Sequence, residues 1–296
     1  YIYQIKIVAK EIKIRGESMY ENKVIITAAL SGGGTPYEKN NAIPVTPKQI
    51  AEDAYRCWNA GASVVHLHMR NDDGTPTHDP SRFKETIDLI RAYEDCDVII
   101  NCTSSAPLSN EERVAHFMAY SDKIEMGSFD AGTMNFNCEF VFENKPDFLE
   151  YLGKLYQDKN IKAEVEVFDM GMLSNVEYYI KNGVLQTPVH YQFVLGALGG
   201  MSATVEHLAI LKNSIPKGST WSAFGIGVGH MPVLYGALAL GGHIRVGLED
   251  NVYFSRGIKA TNLQLVERAA QAVNLFGKEV ANAKEARTIL GIPQLK

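Results

Sequence analysis

The feature that most constrains the fold is an alternation of short apolar runs with amphipathic segments, repeated from residue 23 onward. The apolar runs predict strands at 23–30, 63–69, 97–102, 123–128, 162–168, 190–196, 220–226 and 243–249. Helical spacing separates them, as at 46–61, where Thr46 suits an N-cap, Pro47 a first helical position and Gly61 a stop. Eight successive strand–helix units predict an α/β protein with a closed (β/α)8, or TIM, barrel rather than an open doubly wound sheet.

The remaining helices are predicted at 79–93, 109–120, 146–160, 171–183, 202–214, 230–242, 261–276 and 282–290, with Ser109 and Ser202 as N-caps. No linker or charge block divides the units, so residues 23–296 are predicted to form a single barrel that carries the catalytic residues. Residues 1–22 are set apart as an N-terminal leader of uncertain origin, because Met19 is a candidate natural start.

The overall charge argues against nucleic acid as the main partner. The chain has 29 Lys+Arg and 34 Asp+Glu, a formal net charge of −5, which gives no general footprint for a phosphate backbone. No apolar run approaches the ~18–20 residues of a membrane span, and no stretch has the order of a signal peptide. We therefore expect a soluble cytoplasmic protein that acts on small molecules, with no membrane and no nucleic-acid partner.

The four cysteines, Cys57, Cys96, Cys102 and Cys138, form no CxxC pair and no disulfide framework. They are expected to be reduced, partly buried thiols. A nucleophilic role for Cys102, which ends a predicted strand, is the alternative.

The sharpest chemical signal is the sequence His66-Leu67-His68 at the end of the second predicted strand. Strand side chains alternate, so the two histidines are expected to face the barrel interior and Leu67 to face the helices. Active sites of (β/α)8 barrels lie at the carboxyl ends of the strands. Two imidazoles that converge there suit a divalent transition metal, and one buried and one exposed structural histidine is the alternative.

A second group of charged residues, Arg245 to Asp250, occupies the eighth predicted strand and its end. Arg245 and Glu249 share the interior face, where both are costly unless they are paired or bind a ligand. Strands two and eight both neighbour strand one, so Glu249 is a candidate third metal ligand, and a simple buried Arg–Glu pair is the alternative. Asp250 is a candidate general base held ionised by Arg245, or else a cap of the following loop.

Small polar residues follow the third and fourth predicted strands and either line a site or form polar turns. The candidate hydroxyl donors and substrate contacts among them are Thr103, Ser104, Thr133 and Asn135. On the fifth predicted strand Glu164 and Glu166 share one face, and Glu164 is a further candidate substrate contact. Because two carboxylates that face one interior repel, at least one of the two is expected to bind a partner.

Glycine-rich segments end the first and seventh predicted strands. Ser31 to Gly34 follow the first strand, and a Gly-Ile-Gly-Val-Gly segment leads from the seventh into a helix. The second segment lacks the Lys-Ser/Thr of a phosphate-binding loop, but barrels often hold a phosphate after strands seven and eight. Gly225, Gly227 and Gly229 are therefore candidate contacts for a phosphate-bearing cofactor.

Four segments of the chain stand out as longer motifs: HLHMRNDDGTPTHD, GSFDAGTMNF, GALGGMSATVEHL and GGHIRVGLEDN. Together they resemble the β-keto acid cleavage enzyme family. The resemblance covers about residues 23–292. It implies a (β/α)8 barrel with one catalytic Zn²⁺ held by His66, His68 and Glu249, the three residues that strand alternation also selects. It further implies a homotetramer.

The reaction that the resemblance implies condenses a β-keto acid with acetyl-CoA and yields acetoacetate and the CoA ester of the shortened acid. Zinc polarises the 3-keto oxygen, and Asp250, oriented by Arg245, removes the C2 proton. The enolate attacks the acetyl thioester, the released CoA thiolate attacks the ketone, and retro-Claisen cleavage frees acetoacetate. A hydroxyl that binds the substrate carboxylate or developing oxyanions matches Ser104 best, with Thr103 as the alternative.

One position departs from the family pattern. Members that act on an amino-keto acid carry a glutamate in the loop after strand one, where this chain has Gly34. No carboxylate then meets a substrate ammonium there, unless Glu38, Glu164 or Glu166 compensates. The expected substrate is neutral or apolar beyond C3.

Two other functional classes stay open at this point. One is another metal-dependent barrel hydrolase or aldolase, and the other is a non-catalytic barrel that binds a small ligand. Barrel hydrolases with an HxH motif usually place it on strand one and add histidines after strands five and six, and this chain has none at 169–171 or 196–200. A binding barrel has no need of Asp250.

Overall fold

Eight short parallel strands pair into a closed barrel in the computed structural model, which describes residues 20–295. In chain order they are β1 (Ile26–Ala29), β2 (Val64–Leu67), β3 (Ile99–Cys102), β4 (Met126–Asp130), β5 (Lys162–Val167), β6 (His190–Leu195), β7 (Thr220–Gly225) and β8 (His243–Val246). Each strand pairs with the next, and β8 closes the barrel against β1. The predicted (β/α)8 barrel is confirmed. Residues 1–19, most of the leader proposed from the sequence, lie outside the described residues.

A helix follows each strand and carries the same number, and one more helix ends the described chain. The helices are α1 (Pro47–Asn59), α2 (Pro80–Arg91), α3 (Asn110–Tyr120), α4 (Pro146–Lys159), α5 (Met170–Lys181), α6 (Val205–Ser214), α7 (His230–Ala239), α8 (Asn262–Leu275) and α9 (Ala283–Leu290). Within residues 20–295, none of them is long and apolar enough to cross a membrane.

Local capping explains where several helices begin. Thr46 accepts a hydrogen bond from the Gln49 N–H, the Gln49 side chain caps Thr46 in return, and Pro47 occupies the first turn of α1. Ser109 forms the same reciprocal box at the start of α3. Both N-caps agree with the sequence prediction, because the signal lies within four consecutive residues.

The predicted N-cap of α6, Ser202, is wrong. The helix is capped by Thr204, whose hydroxyl oxygen accepts the N–H of His207 at 3.2 Å. The reason is a tertiary contact, since the Met201 N–H donates to the carbonyl of Phe168 and holds the chain against the end of β5 before the helix begins.

Two strand ends also differ from the prediction. β4 is shifted from 123–128 to Met126–Asp130, because its ladder with β5 continues until Asp130 lies opposite Glu166. β8 ends at Val246 rather than at 249. There the chain turns at Gly247 (φ +149), where a Cβ would lie 1.9 Å from the carbonyl oxygen of Ala29, so only glycine allows this approach.

Short two-stranded sheets lie outside the eight-stranded barrel. Lys23–Val24 pairs with Glu279–Val280 next to β1, so the predicted first strand at 23–30 is divided into two. Hairpins follow β2, β4 and β8, formed by Met69–Arg70 with Pro76–Thr77, Met134–Phe136 with Phe140–Phe142, and Tyr253–Ser255 with Ile258–Lys259. The hairpins extend the connections that leave the carboxyl ends of the strands.

The barrel interior has two layers of opposite character. Near the amino ends of the strands, Val64, Ile99 and Met126 pack in one apolar cluster with residues of α9. Two residues further along the same strands, the interior positions are His66, Asn101 and Ser128, all buried. The residues between them, such as Val65 and Ile100, belong to the apolar layer between the barrel and the helices. Buried polar chemistry is therefore placed at the carboxyl end of the barrel.

Candidate active site

Strands β2 and β8 bring three metal-binding side chains together. His66 is the third residue of β2, His68 follows the strand, and Glu249 lies beyond the end of β8. One ligand atom from each lies within 4.8 Å of the others. Glu249 Oε1 is 3.7 Å from His66 Nε2 and 3.6 Å from His68 Nε2. Tetrahedral zinc with ligands at about 2.0–2.1 Å needs ligand separations of about 3.3 Å, so these three side chains need only small rotations to close on an ion.

The three groups have the protonation states that a cation requires. Burial lowers the pKa of His66 to about 3 and also lowers that of His68, so both imidazoles are neutral. Burial opposes ionisation of Glu249, but the guanidinium charge of Arg245 is the largest of the effects that outweigh it, and the pKa of this carboxyl is lowered to about 2. Glu249 Oε2 is buried without a hydrogen-bond partner among residues 20–295. Two neutral imidazoles and a carboxylate with a free oxygen suit a divalent cation.

Arg245 contacts three carboxylates from inside the barrel. Its Nε and Nη2 each donate to Asp250 at 2.9 Å, Nη2 also donates to Glu249 at 2.5 Å, and Nη1 lies 3.4 Å from Glu166. The guanidinium lies over the ring of Phe224. The simple Arg–Glu pair considered as an alternative is thus present, but it leaves Glu249 Oε2 free. One arginine orients both a candidate metal ligand and a candidate base.

Asp250 is buried and bidentate to Arg245, at the carboxyl end of the barrel. Burial raises the pKa of its carboxyl to about 6, and the charge of Arg245 acts in the opposite direction. The sequence-based expectation that Arg245 alone decides its ionisation is therefore incomplete, since burial outweighs the arginine. A carboxylate that is both fixed and more basic than in water has the properties of a general base.

The two hydroxyls that follow β3 have different partners. Ser104 is fully buried, and its hydroxyl donates to the Ser128 carbonyl at 2.8 Å, which uses its proton within the fold. Thr103 Oγ1 accepts the N–H of Ser105 at 2.9 Å, and its own proton has no acceptor in the described part of the chain. The geometry favours Thr103 over Ser104 as a hydrogen-bond donor to a ligand, the reverse of the order expected from the resemblance.

The carboxylates of β5 have separate partners across the barrel. Glu164 accepts the Asn101 Nδ2–H at 2.6 Å and lies 3.7 Å from His66 Nδ1, whereas Glu166 faces Arg245. The expectation that at least one of them binds a partner is confirmed. Asn101 is absent from the sequence-based candidates, although strand alternation gives it the same interior face as a candidate site residue.

Ser105 and Asp130 belong to the polar segments after the third and fourth predicted strands, but the sequence did not select them individually. The Ser105 hydroxyl donates to Asp130 at 2.5 Å, and Asp130 lies opposite Glu166 in the β4–β5 ladder. Burial raises the pKa of both carboxyls. The predicted fourth strand ended before Asp130 and so placed this residue in a loop, where polar side chains are common.

Three candidate substrate contacts lie on exposed backbone near the hairpins. Thr133 Oγ1 accepts the Asn144 N–H at 2.8 Å, and Asn135 belongs to the hairpin that packs against the loop after β6. Gly34 has no heavy atom within 4 Å of the position that a Cβ would take. No hydrogen bond joins any of the three to the metal-binding residues within the described chain, and their contact with a substrate stays a prediction.

The glycines after β7 have structural partners. A Cβ on Gly225 would lie 2.4 Å from the Gly229 carbonyl oxygen, and one on Gly229 would lie 2.1 Å from the Ala203 Cβ, so both allow close packing. The Gly227 N–H donates to Asn251 Oδ1 at 2.8 Å. The role of these glycines in binding a cofactor phosphate stays a prediction.

The cysteines are free thiols, as expected, and three of the four are buried. Cys102 belongs to the apolar layer between the barrel and the helices, and burial strongly raises the pKa of its thiol. A thiol that is turned away from the site and resists ionisation is a poor nucleophile, so the alternative role of Cys102 is not supported.

The fold and the site together define a class: a (β/α)8-barrel enzyme that joins candidate metal ligands to an arginine-held carboxylate at the carboxyl ends of its strands. The chain belongs to the beta-keto acid cleavage enzyme family, whose model matches residues 23–292. The resemblance drawn from the sequence motifs is confirmed.

Relatives match nearly the whole chain. A 3-keto-5-aminohexanoate cleavage enzyme of Fusobacterium nucleatum is 41% identical over 274 residues, which are 91% of this chain and 98% of the relative. A 3-dehydrocarnitine:acetyl-CoA trimethylamine transferase of Rhizobium meliloti is 33% identical over 286 residues, 90% of this chain and 95% of the relative. The solved apo structure of ObcA has a TM-score of 0.74 at 21% identity and covers 85% of this chain and 66% of its own, a similarity of fold alone.

Proposed function

We propose that this protein is a zinc-dependent β-keto acid cleavage enzyme, which condenses a 3-keto acid with acetyl-CoA to give acetoacetate and a shortened acyl-CoA. The observation that carries the proposal is that one arginine links the His66–His68–Glu249 cluster to Asp250. Family membership supports the reaction class, and a relative whose name includes acetyl-CoA supports the co-substrate.

The donor set fits zinc. Two imidazoles and one carboxylate are a common set in catalytic zinc sites and leave a position open for substrate oxygens. The free oxygen of Glu249 and the neutral histidines support this assignment. When bound there, zinc would supply Lewis-acid polarisation of the 3-keto group.

Asp250 moves the proton in the proposed reaction. Its carboxylate, fixed by two N–H groups of Arg245, removes a proton from C2 of the keto acid, and C2 forms a bond to the acetyl carbon as the CoA thiolate leaves. The thiolate then attacks the original C3 carbonyl and the C2–C3 bond breaks. The C2 carbanion of acetoacetate takes the proton back from Asp250, so the carboxylate is regenerated.

Thr103 is the proposed donor to the substrate carboxylate or to the oxygen on which charge develops, with Ser104 as the alternative. The support is that the Thr103 hydroxyl proton lacks an acceptor in the described chain, whereas the Ser104 proton is used by β4. The backbone around Thr103 is held by β2, because its N–H donates to the Leu67 carbonyl. A fixed donor avoids reorganisation as charge develops.

The substrate proposed from Gly34 is a keto acid that is neutral or apolar beyond C3. The support is that Gly34 brings no carboxylate to this position, and no heavy atom of the described chain lies within 4 Å of where its Cβ would be. Gly225, Gly227 and Gly229 stay candidate contacts of acetyl-CoA, and Thr133, Asn135 and Glu164 stay candidate substrate contacts. A homotetramer is likewise a prediction of the family resemblance, and a cytoplasmic location stays a prediction from the sequence pattern.

The test pairs metal content with turnover in wild type and His66→Ala. Purified wild type is expected to hold about one zinc per chain and to form acetoacetate only when acetyl-CoA is present. His66→Ala is expected to lose the zinc and at least ~10³-fold in turnover, because one of three protein ligands is gone. His207→Ala, which removes a histidine of α6 outside the cluster, is the matched control and should keep both.

A panel of keto acids in the same assay addresses the substrate. We expect 3-ketohexanoate to be used at least as well as its 5-amino derivative, judged by kcat/KM, and a large preference for the amino compound would contradict the proposal drawn from Gly34. Turnover without CoA would favour the hydrolase alternative. A metal-free and inactive wild type would favour a non-catalytic binding barrel.

A further inference from the structure

The side of His66 that faces away from Glu249 is enclosed by two polar side chains. Its Nδ1 lies 3.7 Å from Glu164 Oε2, and Asn101 Nδ2 donates to that same oxygen at 2.6 Å. The three residues are at most 1% exposed, so no solvent competes for their hydrogen bonds. This group forms a second polar layer directly behind one candidate metal ligand.

Three atoms of this layer have no hydrogen-bond partner in the described part of the chain: His66 Nδ1, Asn101 Oδ1 and Glu164 Oε1. Buried polar atoms are nearly always paired, so such a concentration needs a physical reason. Two of the three atoms can only accept a hydrogen bond. A proton on His66 Nδ1 is the donor that the group lacks, and it would face the Glu164 carboxylate, whose Oε2 is 3.7 Å away.

The position of that proton decides the other nitrogen. A neutral imidazole carries one proton, on either Nδ1 or Nε2. With the proton on Nδ1, the lone pair is on Nε2, the nitrogen that faces Glu249 at 3.7 Å. In the opposite tautomer, the Nδ1 lone pair would face hydrogen-bond acceptors. Nε2 would then carry the proton and have no lone pair for a metal.

The backbone fixes this arrangement. Asn101 lies opposite His66 in the β2–β3 ladder, which sets the distance between their side chains. Glu164 reaches the same place from β5, and its neighbours Ser128 on β4 and His190 on β6 are its register partners. Each of the three side chains is carried by a barrel strand rather than by a loop.

We propose that Glu164 is a positioning residue of the metal centre and, together with Asn101, holds His66 with its proton on Nδ1 and its Nε2 turned toward Glu249. A metal-bound histidine usually donates its other N–H to a carboxylate or carbonyl, and loss of that partner weakens metal affinity about 10–100-fold. This inference rests on the proposed function in requiring a metal at this site. The substrate contact expected of Glu164 stays a separate prediction, which this role does not require.

Glu166 provides a matched comparison. It lies two residues further along β5, on the same face, and is also buried, but its carboxylate faces Arg245 at 3.4 Å. Glu164→Gln and Glu166→Gln therefore remove the same charge from the same strand. Only the first replaces the carboxylate behind His66 with a neutral amide, which keeps one acceptor oxygen.

The experiment measures zinc affinity of the metal-free protein by competition with a chelator, in wild type, Glu164→Gln, Glu164→Asp and Glu166→Gln. We expect Glu164→Gln to bind zinc about 10–100-fold more weakly, and Glu164→Asp to lie between it and wild type. Glu166→Gln should stay within about threefold of wild type and lose turnover instead, because it disturbs Arg245. The ¹⁵N shifts of His66 in zinc-loaded wild type should show a protonated Nδ1.

The outcomes separate this inference from the function. If wild type binds zinc and Glu164→Gln binds it equally well, Glu164 is not a positioning residue, and the proposed function stands. If the ¹⁵N shifts place zinc on Nδ1 and the proton on Nε2, the inference is overturned without any variant. If wild type binds no zinc, the proposed metal centre and this inference fail together.

Discussion

Both ends of the barrel contain a buried arginine, but the two arginines have different surroundings. At the carboxyl end, Arg245 faces three carboxylates at once. At the amino end, Arg287 of α9 donates to both oxygens of Glu125, at 2.6 and 3.0 Å, and to the Asp97 carbonyl at 2.7 Å. Arg91 also donates to Glu125 at 3.0 Å. Three carboxylates face the single Arg245, whereas at the amino end Arg91 and Arg287 face two carboxylates, Glu125 and Asp97.

The difference extends to the atoms that are left unpaired. Glu249 Oε2, Glu164 Oε1 and His66 Nδ1 are buried without partners at the carboxyl end. At the amino end, Glu125 accepts hydrogen bonds from two arginines, and an apolar cluster packs Val64, Ile99 and Met126 against α9. Unpaired buried groups indicate a site that is complete only with a ligand, whereas paired groups indicate a contribution to stability. The two ends of one barrel thus separate chemistry from stability.

The largest expected effect is at the carboxyl end. Asp250→Asn keeps the shape of the side chain but removes the base, so we expect kcat/KM for acetoacetate formation to fall ~10⁴-fold, about 5 kcal/mol. The free energy of unfolding, measured by urea denaturation, should fall by about 1.5–3 kcal/mol, because a buried charged hydrogen bond is weakened while Glu249 and Glu166 still face Arg245. Asp158→Asn, on the exposed face of α4, is the control. Retention of more than a tenth of wild-type activity by Asp250→Asn would remove it from the mechanism.

The next effect is expected at the amino end of the barrel, and it should appear in the free energy of unfolding rather than in kcat/KM. Arg287→Leu leaves Glu125 with one arginine instead of two and is expected to lower the free energy of unfolding by about 3–5 kcal/mol. The kcat of the folded fraction should not change. Adding Glu125→Leu should restore part of the stability, because an apolar pair replaces a broken ion pair. A fall in kcat under conditions where circular dichroism shows a folded protein would contradict the separation of the two ends.

The smallest of these effects distinguishes two neighbours at the carboxyl end. Thr103→Val removes a hydroxyl whose proton has no acceptor in the described part of the chain. We expect this change to lower kcat/KM about 10²-fold, about 2.7 kcal/mol. Ser104→Ala is the matched control, since it removes a hydroxyl bound to β4 and should cost about 1–3 kcal/mol of stability with a smaller kinetic effect. The opposite pattern in steady-state kinetics would return the catalytic role to Ser104.

Local patterns in the sequence were sufficient for the barrel and for much of the candidate site. The count of strand–helix units, the caps Thr46 and Ser109, and the shared face of His66 and His68 all follow from residues within a few positions of one another. Backbone periodicity and capping act over that range, which is why these predictions agree with the structure. The prediction that Glu249 joins the two histidines also required the order of strands in the barrel. That order followed from the count of eight strand–helix units.

Only the tertiary structure decided what the interior side chains face. The pairing of Glu164 with Asn101 and His66, of Glu166 with Arg245, and the extension of β4 to Asp130 all depend on contacts between strands that are distant in the chain. Alternation shows that a side chain points inward, but not which side chain it meets across the barrel. Those partners are set by the stagger and closure of the strands, and they determine which acid supports the metal centre and which supports the base.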